Sequence, residues 1–272
     1  MKQRSFFVML FSAILAFSLL AGIVIGQARL VVKPEAVSQV DELLTQMARD
    51  GKFSGLTLIA QDAVVFLNKG YGLADRARGI PNTPLTRFHI GSMTKQFTAM
   101  GILILQSQGK LSVQDPICNF IADCPKEWQD ITIHHLLTHT SGLSNIQSLW
   151  LDSAIQSAAI GPAAPAEQAK YLGFTIRWFL DAQPGEQFAY SNFGYYLLAY
   201  IIEKASGQSY ADFLSQTIFT PLNLHNTGYQ DSSSGVALTY LDRDTLEAVQ
   251  FGPYPVPDGS DNIYTTGEDL LL

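Results

Sequence analysis

Charge is scarce in this chain of 272 residues: Asp, Glu, Lys and Arg together make up 15% of it, and Lys and Arg never form a run. Without a basic stripe, and with a net charge of −7, the chain offers nothing to a phosphate backbone, so nucleic acid is excluded as a partner. Cysteine is scarcer still. Cys118 and Cys124 are the only two, and no C-x-x-C pair occurs, which makes a poor zinc site. Internal repeats are missing, and so is the regular strand–helix alternation of a parallel sheet. Beyond the first 28 residues, no apolar run is long enough to span a membrane.

Apolar residues, by contrast, make up 47% of the chain, enough for a substantial core and against disorder. The beginning stands apart. "MKQR" carries two positive charges, "FFVMLFSAILAFSLLAGIVIG" is an apolar run, and "GQA" supplies small residues where a signal peptidase reads. Residues 1–28 are expected to be a secretory signal cleaved after Ala28. The alternative is an uncleaved membrane anchor through residues 6–26. Both place residues 29–272 outside the cytoplasm, in the periplasm or beyond. In that setting Cys118 and Cys124 are expected to pair, the alternative being two separate thiols.

Spacing of apolar residues predicts a helix from Lys33 that ends at Gly51. Two strands follow over "SGLTLIAQDAVVFLNKGYG", around a turn at Gln61-Asp62. Residues 73 to 91 read as loop. A strongly apolar helix runs from Met93 to Gln108, closed by Gly109, and a short one over "ITIHHLLTHTSGL" ends at Gly142. Residues 144 to 170 are rich in Ala, Ser and Pro and read as an irregular lobe. "SNFGYYLLAYIIEKASG" and "SYADFLSQTIFTPLNL" are two further helices.

Candidate chemistry centres on "FHIGSMTKQFTAM". A helix beginning near Ser92 surrounds its hydroxyl with free N–H groups and the positive dipole end. Lys95 lies one turn on, on the same face. Dipole and burial both favour its neutral amine, which can accept a proton from a serine hydroxyl or polarise it. The plainer alternative makes Ser92 a helix cap and sends Lys95 to solvent. Spacing alone does not decide, because Ser107 and Lys110 repeat S-x-x-K at the far end of the same helix. There the Lys merely complements the negative dipole end, so context selects Ser92.

A serine nucleophile needs a base and an oxyanion hole. "PGEQFAYSNFGYY" offers Tyr190 as a base beside a Lys, and Asn192 to hold a substrate carbonyl. The alternative is a packed Tyr and an Asn cap. Ser260-Asp261-Asn262 spells a second triplet of known catalytic use, but sits in a Pro- and Gly-rich loop. His135 and His139 stand at i, i+4, a spacing that suits a metal. No Glu follows His135, so the metalloprotease pattern fails, and a helix packed on a site wall is the expectation. No cofactor or metal is expected.

"FHIGSMTKQFTAM", "ITIHHLLTHTSGL" and "YSNFGYYLLAYIIE", in this order and spacing, resemble the serine β-lactamase-related family of class C β-lactamases, D,D-peptidases, D-aminopeptidases and esterases. The resemblance runs from about residue 34 to the last. It implies an α/β fold in which an antiparallel sheet is flanked by helices and a helical lobe holds Tyr190. It implies that Ser92 is the acylated nucleophile, Lys95 its activating partner, Tyr190 the proton shuttle and Asn192 a substrate contact. Substrates would be β-lactams, cell-wall or D-amino-acid peptides and amides, or esters. The family's later K-T-G or H-x-G strand motif is absent up to Leu272: His139 is followed by Thr-Ser-Gly in a helix-ending turn. Residues 29–272 are therefore expected to be a domain incomplete at its C-terminus. Its 56–71 hairpin would be bare on one face, and half of its oxyanion hole would be missing. The alternative function is a pseudoenzyme or acyl-binding module on the same fold.

Overall fold

A computed structural model describes residues 31–122, 124–143, 180–229, 236–240, 248 and 257–272. The segments read as an export signal and as an irregular lobe lie outside these residues.

Helix α1, Pro34–Arg49, starts with Pro in its first turn, and the chain leaves it through Gly51 at φ +68°. Strands β1, Gly55–Gln61, and β2, Val64–Tyr71, form an antiparallel hairpin. Its turn is Asp62-Ala63, one residue later than the sequence suggests. Both residues have positive φ, the backbone that a two-residue hairpin loop demands even without Gly. Asp41 of α1 accepts from Lys69 and from the Tyr71 hydroxyl, tying the helix to β2.

The stretch read as loop carries three short strands: β3, Leu73–Asp75, β4, Ile80–Pro81, and β5, Phe88–His89. Their pairing partners lie far along the chain or across a tight turn, so no local periodicity marks them. Strand β3 pairs with β4, while β5 pairs with β7, Ile263–Thr265, which also holds β6, Gly228–Tyr229. All pairing between these strands is antiparallel, as expected. Among the described residues it is divided over three small sheets rather than gathered in one.

Helix α2, Thr94–Ser107, follows a single 3-10 turn at Gly91–Met93 and ends before Gly109 at φ +69°. Helix α3 is only Ile133–Leu137, shorter than expected. Its end comes early because His139 adopts φ +57°, a left-handed backbone that no helix continues. Helix α4, Asn192–Ser206, is buried without a break from Phe193 to Ile202. A helix apolar all round has to be surrounded. Here α2, α3 and α5, Tyr210–Leu214, surround it, with Ile102, Leu136, Leu214 and Trp128 among the most buried side chains. Each such side chain contributes about 1.5–3 kcal/mol by leaving water.

Cys118 and Cys124 are joined by a disulfide. Helix α6, Gly267–Leu271, packs on β1, where Gly267 faces Leu56 and Leu58. The hairpin is therefore partly covered, by α6 and by α1, rather than bare along a whole face, while Val64, Val65 and Phe66 at its turn end remain exposed. Asp269 anchors α6 by accepting from the Asn226 N–H and the Thr227 hydroxyl. No helix among the described residues is long and apolar enough to cross a membrane.

Candidate active site

Ser92 sits in the 3-10 turn that leads into α2, with its side chain exposed, while Lys95 one turn on is only 8% exposed. The reading of Lys95 as a solvent-facing residue is thereby removed. Its ammonium donates to Ser92 Oγ at 3.1 Å, to Asn192 Oδ1 at 2.8 Å and to the Ser260 carbonyl at 3.1 Å. An ammonium has three N–H bonds, so each is used. Ser92 Oγ also shares a hydrogen bond of 2.8 Å with the Tyr190 hydroxyl. Lys95 Nζ lies 4.9 Å from the centre of the Tyr190 ring and 5.4 Å from that of Tyr195. All four residues picked from the sequence, Ser92, Lys95, Tyr190 and Asn192, thus meet within hydrogen-bonding reach.

Each is placed by local structure. Ser191, not Asn192, caps α4, its hydroxyl accepting from the Gly194 N–H. That frees the Asn192 side chain for Lys95. Tyr190, the residue before the cap, is 41% exposed, so a substrate can reach its hydroxyl.

The other candidates go elsewhere. Ser107 bonds back to the Ile104 carbonyl of its own helix, and Lys110 is exposed at the helix end. His135 forms a reciprocal cap with Thr132 at the start of α3. His139 has left that helix altogether and packs against Tyr190, so the two do not share a helix face.

Sequence reasoning missed one contributor. It weighed the side chains of Ser260 and Asn262, but these turn inward, to the buried carboxylate of Asp258. The Ser260 backbone carbonyl is what reaches Lys95. This loop is stitched to α2 along its length: Thr98 Oγ1 donates to the Gly259 carbonyl, and the Ile263 N–H donates to Thr94 Oγ1. Gly259 is required there, because an added Cβ would press on the Tyr195 carbonyl and the Thr98 methyl. Burial raises the phenol pKa of both Tyr210 and Tyr229 beneath this loop, and the charge of Asp258 adds to it.

The family model of the Beta-lactamase family matches residues 40–272. Penicillin-binding protein 4* of Bacillus subtilis (strain 168) is 32% identical over 198 residues, covering 72% of this chain and 42% of that protein. Protein flp of Staphylococcus aureus (strain N315) is 29% identical over 209 residues, covering 74% and 40%. An octameric penicillin-binding protein homologue from Pyrococcus abyssi superposes with a TM-score of 0.71 at 30% identity, covering 86% of this chain and 55% of that one. The chain spans less than half the length of either curated relative. With a match of this extent and a shared fold, the chain belongs to the Beta-lactamase family, a family of serine hydrolases.

Proposed function

We propose that this chain is a serine hydrolase that forms an acyl-enzyme at Ser92 with a β-lactam, a D-amino-acid peptide or amide, or an ester. The carrying observation is the placement of Ser92 Oγ between the Tyr190 hydroxyl, at 2.8 Å, and Lys95 Nζ, at 3.1 Å. Lys95 is buried and held by three partners, Ser92, Asn192 and the Ser260 carbonyl, whereas Tyr190 is exposed to an incoming substrate. The Ser92 proton therefore leaves toward the Tyr190 oxygen. Lys95 acts through charge, offsetting the negative charge that the phenol oxygen carries as a base. The Ser92 oxygen then bonds to the substrate carbonyl carbon. The bond from that carbon to the leaving alcohol or amine breaks, and the leaving group takes the proton from Tyr190. Water, deprotonated by the same tyrosine, cleaves the new ester and returns the proton to Ser92. Asn192 orients Lys95 and contacts the substrate's amide side. An exported location suits the Cys118–Cys124 disulfide.

A fluorophosphonate or fluorescent penicillin, followed by peptide mass spectrometry, tests the nucleophile, and turnover of 4-nitrophenyl acetate tests the cycle. Label on Ser92 with steady turnover is expected. Label without turnover supports the acyl-binding alternative instead, and label on another serine refutes the assignment.

A further inference from the structure

His139 has no part in the chemistry above, yet it touches the segment that carries Tyr190 in three ways. Its imidazole lies against the phenol ring, with centroids 4.6 Å apart and planes inclined by 33°. Its Nδ1 accepts the N–H of Ser191 at 3.2 Å. Its carbonyl accepts the N–H of Ala189 at 2.8 Å. The residues on both sides of Tyr190 are thus bonded to one histidine, and the ring between them rests on that histidine's face.

The turn around His139 is shaped for this. His139 is held at φ +57°, outside the ordinary range of a residue with a side chain, which points its carbonyl and its ring to the same segment. Three residues later Gly142, at φ +74°, lies so close to the Ala182 carbonyl that any Cβ would collide with it. Thr140 and Gly142 accept from the Gly185 and Asp181 N–H groups. The turn of residues 139–143 therefore grips the 181–191 strand of chain along its length, and His139 is the grip nearest Ser92.

We propose that His139 is a positioning residue for Tyr190, holding the phenol at Ser92 by ring contact and by an Nδ1 acceptor that exists only in the neutral imidazole. This rests on the reading of Tyr190 as proton shuttle. An Nδ1 that accepts an N–H carries no proton, so the neutral ring carries its proton on Nε2. Protonating the ring replaces the acceptor by a donor facing another donor, and releases the Ser191 side of the grip. Among the described residues, the groups that face the ring are Lys95 from α2, Tyr190, and Tyr195 from α4, with Phe188 at its edge, and no carboxylate. Burial, aided by Lys95, lowers the His139 pKa from 6.5 and keeps the ring neutral at ordinary pH.

Two measurements on the intact chain decide this. Long-range proton–nitrogen correlation of the imidazoles needs no activity. It is expected to show His139 protonated at Nε2, with the Tyr190 ring signals shifting at the same pH midpoint as His139. A ring protonated at Nδ1, or Tyr190 signals indifferent to its titration, overturns the proposal. The second measurement is the acylation of Ser92 in His139→Asn. Asparagine tolerates left-handed backbone and keeps an amide oxygen near the Nδ1 position, but has no ring. The expected result is a fall in acylation rate of about 10²-fold, the effect of roughly an ångström of misplacement, with KM unchanged. The part of the acid limb that follows His139 is lost as well. Wild-type rate and pH profile in this variant overturn the proposal, and should it fail to fold, the spectra of the native chain decide. If Ser92 labels in neither protein, the hydrolase reading fails, while the spectra still settle whether His139 holds Tyr190.

Discussion

Lys95 and Ser260 are 165 residues apart in the chain and 3.1 Å apart in space, joined by a bond from an ammonium to a backbone carbonyl. The carbonyl is aimed by Asp258, whose carboxylate accepts from the Ser260 N–H, the Ser260 hydroxyl and the Asn262 amide. Lys95 thereby has a third acceptor, one that does not depend on the reacting groups.

Asp258→Ala is expected to release this turn. Three buried donors lose their acceptor, at a cost of about 1–3 kcal/mol each where they stay unsatisfied. Urea denaturation should show a large drop in midpoint, and probe labelling of Ser92 should slow. Unchanged labelling in a folded variant would show that the Ser260 carbonyl does not matter to Lys95.

Lys95→Ala and Tyr190→Phe are each expected to lower the acylation rate about 10²–10⁴-fold, as lost acid–base help does. Ser92→Ala should abolish labelling. Ser107→Ala should have no effect, since its hydroxyl bonds only to its own helix turn. Stopped-flow or time-resolved mass spectrometry measures these rates. Loss of labelling in Ser107→Ala would overturn the choice between the two S-x-x-K copies.

The disulfide should leave no reactive thiol in denatured, unreduced protein recovered from an oxidising compartment. Closing so short a loop stabilises by about 2 kcal/mol in the chain-entropy account, so Cys118→Ser should lower stability by that order. A count of two thiols per chain under those conditions would contradict the bridge.

Stability should fall on mild acidification. His135 and His139 both have pKa values lowered from 6.5, chiefly by burial, then by His134 and Lys95 respectively. The folded chain therefore binds these protons at lower pH than the unfolded chain. The stability is fully present above about pH 6.5 and is lost as pH falls from there through the folded values. Asp41 and Asp75, lowered from 3.8 by Lys69 and Arg78 partners, act in the same direction only in stronger acid. Urea midpoints from pH 8 to pH 5 measure the first effect, and His139→Asn should make the decline shallower. A midpoint that rises toward pH 5 would reverse the sign and refute the assignment.

Leu198→Ala, in the fully buried stretch of α4, should cost about 2–5 kcal/mol. A loss below 1 kcal/mol in thermal or urea unfolding would mean that α4 is not the centre of the core.

Local sequence determined much of this protein. Apolar residues marked α1, α2 and α4, and Gly51 and Gly109 marked the ends of the first two, because helix periodicity and left-handed caps depend on neighbours only. The spacing of Ser92 and Lys95 placed both on one helix face for the same reason. Tyr190 and Asn192 were legible as candidates through the three motifs taken together. Other features were decided by tertiary structure alone. The short strand β5 exists through Thr265 and Tyr264, far along the chain, and β3 and β4 exist through each other across a tight turn; no local pattern announces either pairing. His139 reads as part of a helix until its left-handed backbone turns it onto Tyr190. Ser260 reads as a side chain of interest, yet contributes a carbonyl, and every residue has one of those. A backbone atom carries no signature in the sequence, so only the folding of residues 258–265 along α2 could bring it to Lys95.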